Sequence, residues 1–287
     1  MESVVREATR HYGRVGFLLL QEAGSWTRGM RAAKWTAHTR LGQLGAVLIP
    51  DELEHRVRHE IHKERIAAVL VGHVAVCSWY LPQVHWGRVA YEGAIHDMDH
   101  TLEDMRRKGA KTMVVGVDAQ DELPANVELF TGPLAEGKVT GRMSDRATLL
   151  YEWAIKWGLV AGSTLKQEPR WADRWWTTTN KAWGGHRRLD YIFVTDTAKG
   201  VTAGNPHTWK WPDRDHQPVG IKVRGKQKID GENPQPAAKD GNQPRNRTDA
   251  TTNEERPPHS GMHGTNQHME QAWSKISSRR RQKRLPT

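Results

Sequence analysis

The segment Arg188-Leu189-Asp190-Tyr191-Ile192-Phe193-Val194 decides the fold. Aromatic and β-branched residues dominate it, the composition of a strand that packs on a core. Asp190 interrupts that apolar run. An ionised carboxylate inside a buried strand is costly unless it is paired or metal-bound, so Asp190 calls for a partner. Further along, Asp213-Arg214-Asp215-His216-Gln217-Pro218-Val219 offers one, with acids and a histidine just ahead of another short apolar run.

Three earlier segments have the same character. In Leu18-Leu19-Leu20-Gln21-Glu22 a carboxylate follows directly on an apolar run. Ser78-Trp79-Tyr80-Leu81-Pro82 closes another. Val114-Val115-Gly116-Val117-Asp118-Ala119-Gln120 closes a third. Singly, each has an ordinary explanation: Glu22 as a solvated strand end, Tyr80 as a core aromatic, His216 beside Asp215 as a surface turn. Asp190 resists that treatment, and all five lie in order at strand termini, which favours one shared site.

The apolar runs at 15–20, 46–49, 66–71, 74–79, 112–117, 189–194 and 219–223 read as strands. Between them are two helices. Ile95, Met98, Leu102 and Met105 recur at helical spacing with Gly109 as a stop. Ser144 caps the second, Ala147, Leu150, Ala154 and Trp157 form its buried stripe, and Gly158 ends it. Residues 1–12 read as a helix leading into the first strand, with no strand before it. Strands interleaved with helices give an α/β or layered α+β domain. No repeat or heptad pattern is present.

Hydrophobic residues make up 37% of the 287-residue chain, and nearly all the apolar runs end by residue 223. Residues 224–287 are rich in Gly, Pro, Asn, Gln, Arg and Lys and read as a disordered tail, leaving one domain at 1–223. The net charge is +10; the tail holds 13 Lys/Arg against 7 Asp/Glu, so the domain keeps about +4. That balance suits a polyanionic partner, since lysine and arginine displace counterions from phosphates. Charge alone is equally satisfied by a solvated surface. The single cysteine, Cys77, excludes an intramolecular disulfide and a Cys-rich zinc site, and fits a reducing, intracellular compartment. No run of apolar residues is long enough for a membrane span, and the N-terminus lacks a signal-peptide core. The run Arg279-Arg280-Arg281-Gln282-Lys283-Arg284 reads as a nuclear-localisation or nucleic-acid patch, or as a solvated terminus.

The order of the five segments resembles the exonuclease–endonuclease–phosphatase superfamily, which includes apurinic endonucleases, DNase I and the endonucleases of LINE-type retrotransposons. Its motifs are Gln-Glu after a strand, Tyr-x-Pro, Gly-Gly-Asp-Phe-Asn, Arg-Ile/Leu-Asp-Tyr-Ile and Ser-Asp-His-x-Pro-Val. Here they stand as Gln21-Glu22, Tyr80-Leu81-Pro82, Gly116-Val117-Asp118-Ala119-Gln120, Arg188-Leu189-Asp190-Tyr191-Ile192 and Arg214-Asp215-His216-Gln217-Pro218-Val219. Residues 149–164, with Gly158-Leu159-Val160, look like the family's helix and following strand. The resemblance spans residues 13–223. It implies a four-layered α/β sandwich of two packed sheets flanked by helices, DNase I-like, with the N-terminal strand missing.

The resemblance also implies roles. Glu22 and Asp215 would serve the metal, Mg²⁺ or alternatively Mn²⁺. Asp118 would orient or deprotonate the attacking water, with Gln120 beside it. His216, held by Asp190, would meet a phosphate oxygen, and Tyr80 would donate to the scissile phosphate. Two departures stand out: the family's first strand, which bears an Asn, is absent, and Gln120 and Ala119 replace the motif's Asn and Phe.

Between these motifs, Trp171, Trp175, Trp176 and Trp183 alternate with Arg170, Arg174 and Lys181, and Arg187 and Arg188 precede Asp190. Aromatics mixed with cations suit stacking on bases while charge meets phosphate; the same tryptophans also suit sheet packing. The expectation is a Mg²⁺-dependent nuclease that nicks DNA, in a parent element that also carries a reverse transcriptase domain. RNA or a phosphomonoester is the alternative substrate, and an impaired nucleic-acid-binding remnant the alternative role.

Overall fold

The computed structural model describes residues 2–12, 15–23, 25–128, 130–135, 143–165, 177–179, 185–195, 202–204, 216 and 219–222. The chain divides into units Met1–Gly231 and Glu232–Thr287, and every described residue belongs to the first. In chain order the strands are β1 (Leu18–Gln21), β2 (Arg31–Ala32), β3 (Trp35–His38), β4 (Gly45–Pro50), β5 (Val57–Lys63), β6 (Ile66–Val71), β7 (Val74–Tyr80), β8 (Thr112–Asp118), β9 (Leu159–Ala161), β10 (Thr178–Thr179), β11 (His186–Arg187), β12 (Asp190–Thr195), β13 (Thr202–Gly204) and β14 (Gly220–Lys222). The helices are α1 (Glu2–Tyr12), α2 (Asp51–Glu54), α3 (Gly87–Arg107) and α4 (Asp145–Trp157).

β6 shows why two sheets form. All six of its residues are buried, and because side chains alternate along a strand they serve two different cores. Ile66, Ala68 and Leu70 join Tyr91, Met98, Leu102 and Met105 of α3 and Leu150, Trp153 and Ala154 of α4. Ala67, Val69 and Val71 face the other way, against Val47 and Ile49 of β4 and Leu19 of β1. A strand apolar on both faces lies between layers, and each fully buried aliphatic side chain there stabilises by about 1.5–3 kcal/mol.

The larger sheet has the order β5-β6-β7-β8-β12-β9 and the smaller β1-β4-β3-β2. Only β7 and β8 pair in parallel in the larger sheet. Parallel neighbours need a long crossover, and α3 is that crossover. On the outer face of the smaller sheet, Val5 of α1 packs with Trp35, Ala37, Ala46 and Leu48. The layers therefore run α3/α4, large sheet, small sheet, α1, the expected four-layered sandwich. Among the described residues β1 pairs with β4 alone, and α1 precedes it.

The two sheets approach closely at two glycines. A Cβ at Gly116 would lie 2.8 Å from Leu19 of β1, and one at Gly45 would lie 2.9 Å from the Ser78 carbonyl and 3.1 Å from the Ala67 nitrogen. Gly116, read in the sequence as part of a motif, thus lets β1 lie against β8.

α4 begins and ends as expected: the Ser144 hydroxyl accepts from the Ala147 N–H at 3.0 Å, and Gly158 closes it in the left-handed conformation at φ 60°. α3 starts well before its expected stripe, taking in Tyr91 and Ala94. β2, β3, β5, β10, β11 and β13 are additions to the expected set. Cys77 is buried and its thiol is pushed up to about 12 by that burial, so it is a packing residue. Among the described residues no helix is long and apolar enough to cross a membrane. The expected tail at 224–287 lies outside the described residues.

Candidate active site

Chain direction brings the motifs together. β7 and β8 run parallel and end at the same edge, and β12, antiparallel to β8, begins there. The pairing puts Tyr80 opposite Asp118 and Asp118 opposite Asp190, so three candidate residues stand in one row across three strands. β1 of the other sheet ends beside them. The Ser78 hydroxyl donates to the Leu20 carbonyl at 2.6 Å and accepts from Gln21 Nε2 at 3.3 Å. Those two bonds tie the sheets together just before Glu22.

Glu22 has φ 57° and Gln120 has φ 53°, a backbone region that non-glycine residues seldom occupy. Such strain persists where the surroundings over-determine it, commonly at functional sites. Glu22 accepts from the Tyr80 hydroxyl at 3.3 Å, and that same hydroxyl accepts from Gln83 Nε2 at 3.2 Å. Burial raises the Tyr80 pKa above that of a free phenol; Gln83 opposes this, while the carboxylates of Glu22 and Asp118 add to it. Tyr80 is therefore a phenol held protonated, a donor.

Asp118 is 2% exposed. Its Oδ1 accepts from the Gln120 backbone N–H at 3.1 Å and its Oδ2 from Gln120 Nε2 at 2.6 Å. Burial pushes its carboxyl well above the usual carboxylate range, the Asp190 charge adds to this, and His216 and Gln120 pull the other way. Two carboxylates facing across a strand pair cannot both ionise without help. His216 supplies some: its Nδ1 lies 2.9 Å from Asp190 Oδ2, and its backbone bridges to Thr178 of β10. The Thr177 hydroxyl accepts the Leu189 and Asp190 N–H groups at 3.0 and 3.1 Å, fixing the start of β12. Asp118, Asp190 and His216 form a group whose ligand atoms all lie within 4.8 Å of one another.

The structure brings Tyr80, Asp118, Gln120, Asp190 and His216 to one end of the sandwich, with Glu22 against Tyr80. Asp215, Arg170, Arg174, Trp175, Trp176 and Lys181 lie outside the described residues. Arg187 is exposed on β11, its Nε 3.4 Å from Glu122. Arg188 corrects the sequence reading. It was expected on the nucleic-acid surface, but it is 1% exposed and donates to the Leu134 carbonyl at 2.9 Å and the Ser163 carbonyl at 2.7 Å. It braces the loops beneath the site. Three supporting residues escaped the sequence reading. Gln83 had a signal, its place directly after Tyr-x-Pro; Thr177 and Ser163 had none.

No protein-family model and no curated protein matches the chain. Solved structures do. The 3′ phosphatase NExo from Neisseria, bound to a product DNA hairpin, is 13% identical with a TM-score of 0.55, covering 78% of this chain and 94% of that one. The 3′–5′ exonuclease NExo from Neisseria meningitidis is 14% identical with a TM-score of 0.51, covering 77% and 93%. The endonuclease domain of TRAS1, a telomere-specific non-LTR retrotransposon, is 13% identical, covers 79% and 92%, and superposes more loosely at 0.45. The chain has the DNase I-like fold, a sandwich of two packed sheets flanked by helices.

Proposed function

We propose that this chain is a metal-dependent phosphodiesterase of nucleic acid, a DNA-nicking endonuclease of retrotransposon type. The observation that carries the reading is the Asp118–Asp190–His216 group, in one row with Tyr80 and beside the strand end that bears Glu22. Carboxylates gathered at one end, Glu22 beside Tyr80 and near the Asp118–Asp190–His216 group, fit a hard divalent cation, which prefers oxygen donors. The upward push on Asp118 comes first from burial and then from the Asp190 charge, the second of which a bound cation would relieve. Glu22 and Asp215 would hold Mg²⁺ or Mn²⁺, with Asp118 and Asp190 at the same end. When bound, the ion supplies Lewis-acid polarisation of the phosphoryl oxygen and stabilises the leaving alkoxide.

The chain's own groups do the rest. Asp118, with its raised proton affinity, orients the attacking water and takes its proton. Asp190 holds His216 through Nδ1, which directs Nε2 away from that carboxylate and toward a phosphate oxygen as charge develops. Tyr80 donates its hydroxyl to the scissile phosphate, exchanging Glu22 for it. Water adds, the phosphodiester bond breaks, and a phosphomonoester and an alcohol leave, with no covalent intermediate. The same groups would serve a phosphatase or a ribonuclease. A reverse transcriptase in a parent element, and a nuclear site of action through the basic run 279–284, belong to this reading.

One observation favours a second reading. Both oxygens of Asp118 are taken by Gln120, and a short 2.6 Å amide contact stands where water must be oriented. A chain locked that way binds nucleic acid and cuts it poorly. Nicking of supercoiled plasmid, in Mg²⁺ and in EDTA, separates the two beside Asp118→Ala and Glu22→Ala/Asp215→Ala variants. Metal-dependent nicking abolished by the variants supports the enzyme. Folded wild type that shifts plasmid mobility but leaves it intact supports the binding module.

A further inference from the structure

The turn after Tyr80 is rigid and yet presents apolar surface to water. Arg146 Nη1 donates to the Pro82 carbonyl at 2.9 Å, and its Nη2 to the Gln83 and Val84 carbonyls at 2.9 and 3.3 Å. Three carbonyls are thereby pinned, and the Arg146 guanidinium itself sits 4.8 Å from the Tyr91 ring, on α3. On this fixed turn Trp86 is 53% exposed, with Val84 and Val89 more so. Large apolar residues scattered singly need no explanation; here three fall within six residues, from the turn after Tyr80 into the start of α3.

Trp86 is also prepared for a ligand. The Arg65 guanidinium lies 4.4 Å from the Trp86 ring centroid and 5.9 Å from that of Tyr80. The indole is thus stacked under a cation and stands no more than about 10 Å from the proposed phosphate-binding phenol, since Arg65 touches both. At about 3.4 Å of rise per nucleotide, that separation between the rings corresponds to about three steps, which puts the indole on the strand's path a few nucleotides from the cut. The His85 ring lies 6.2 Å from that of Trp86, and Arg65 is itself bridged to the exposed Glu64. An exposed aromatic held flat among cations beside a phosphate site is the composition of a base-stacking platform.

We infer that Trp86 is a stacking shelf for a nucleobase a few nucleotides from the scissile phosphate. This inference rests on the proposed function and refines its substrate class. An indole face can receive only a base whose own face is open. The shelf therefore favours strands with an unstacked base near the cut, at a nick, a mismatch or a frayed end, over continuous duplex. Because Arg146 and Arg65 pre-set the turn and the ring, little ordering entropy opposes binding.

The test uses the full chain carrying Asp118→Asn, and fluorescence anisotropy with two labelled DNA probes: a continuous duplex and the same duplex with a mismatch. Trp86→Ala should weaken mismatch binding by about 5- to 100-fold, the range that loss of one base–aromatic stack produces, and duplex binding by less than about twofold. Trp86→Phe should recover most of the loss, with thermal melting confirming that both variants fold. Equal loss on both probes, loss on neither, or no recovery with Phe overturns the shelf. The proposed function fails separately, when the protein with Trp86 intact binds neither probe.

Discussion

Arg188 lies in the run His186-Arg187-Arg188, which reads as a basic patch, and replacing it discriminates sharply between surface and interior roles. Arg188→Met removes hydrogen bonds from a charged donor, among them those to the Leu134 and Ser163 carbonyls. Hydrogen bonds to charged groups contribute about 1.5–3 kcal/mol each, and the carbonyls left behind are buried acceptors. Against that, a guanidinium no longer has to be held out of water, and the methionine keeps most of the apolar stem packed. The balance is a destabilisation of about 2–4 kcal/mol. In a domain of this size each kcal/mol lowers the melting temperature by about 2–4 °C, so Tm should fall by roughly 5–15 °C. The assay is thermal melting by circular dichroism alongside DNA binding titrated over a range of salt. A phosphate contact would behave oppositely: an unchanged Tm, weaker binding, and a salt slope reduced by about one. That second pattern would refute the interior role assigned to Arg188.

Gly45→Ala drives a methyl group toward the backbone of Ser78 and Ala67, which cannot rotate away; destabilisation by at least about 1–3 kcal/mol is expected in urea unfolding. Asp190→Asn should cut metal-dependent nicking by about 10²- to 10⁴-fold while leaving Tm unchanged or higher, since it relieves the repulsion with Asp118; a nicking rate near wild type would exclude Asp190 from the chemistry. The buried ring of His38 lies 3.0 Å from Glu54 and 3.3 Å from Glu60, and Glu60 also meets His62 at 2.9 Å and Arg28 at 3.0 Å. Burial on its own would lower His38, but Glu60 and Glu54 outweigh it and the value is raised. His38 and then His62 hold Glu60 far below the usual carboxylate range. His38 thus contributes stability below pH 6.5 that is lost as pH rises through its raised folded value, and Glu60 contributes above pH 4.5 and loses it below. Melting temperature against pH should peak between those values, and His38→Gln should flatten the alkaline side.

The parts of the fold legible in the sequence are those where physical chemistry leaves few choices. β6, β7 and β8 are buried on both faces and show as unbroken apolar runs, and α4 declares both its ends through Ser144 and Gly158. β5 was hidden because it is an edge strand whose Arg58, His59, Glu60 and His62 take part in side-chain networks instead of a core. β3 was hidden because two of its four residues are polar: Thr36 and His38 are buried only because Asp51 and Glu54 of α2 satisfy them. The site divides in the same manner. Its candidate residues stand out as acids, a tyrosine and a histidine at strand ends. Its braces do not, because Thr177, Ser163 and Arg188 work by meeting backbone groups whose positions only the folded chain defines.

The row formed by Tyr80, Asp118 and Asp190 has a consequence for how such a chain can change over generations. Each member is aligned by backbone pairing with the next strand, so gaining or losing one residue within β8 or β12 would carry its acid to the opposite face and sever the row. The turns outside these strands carry no such restriction. Length variation should therefore accumulate in the connection from α3 to β8 and vanish across β7, the turn pinned by Arg146, β8 and β12, a pattern of tolerated and forbidden insertions that scanning insertion mutagenesis would trace along the chain.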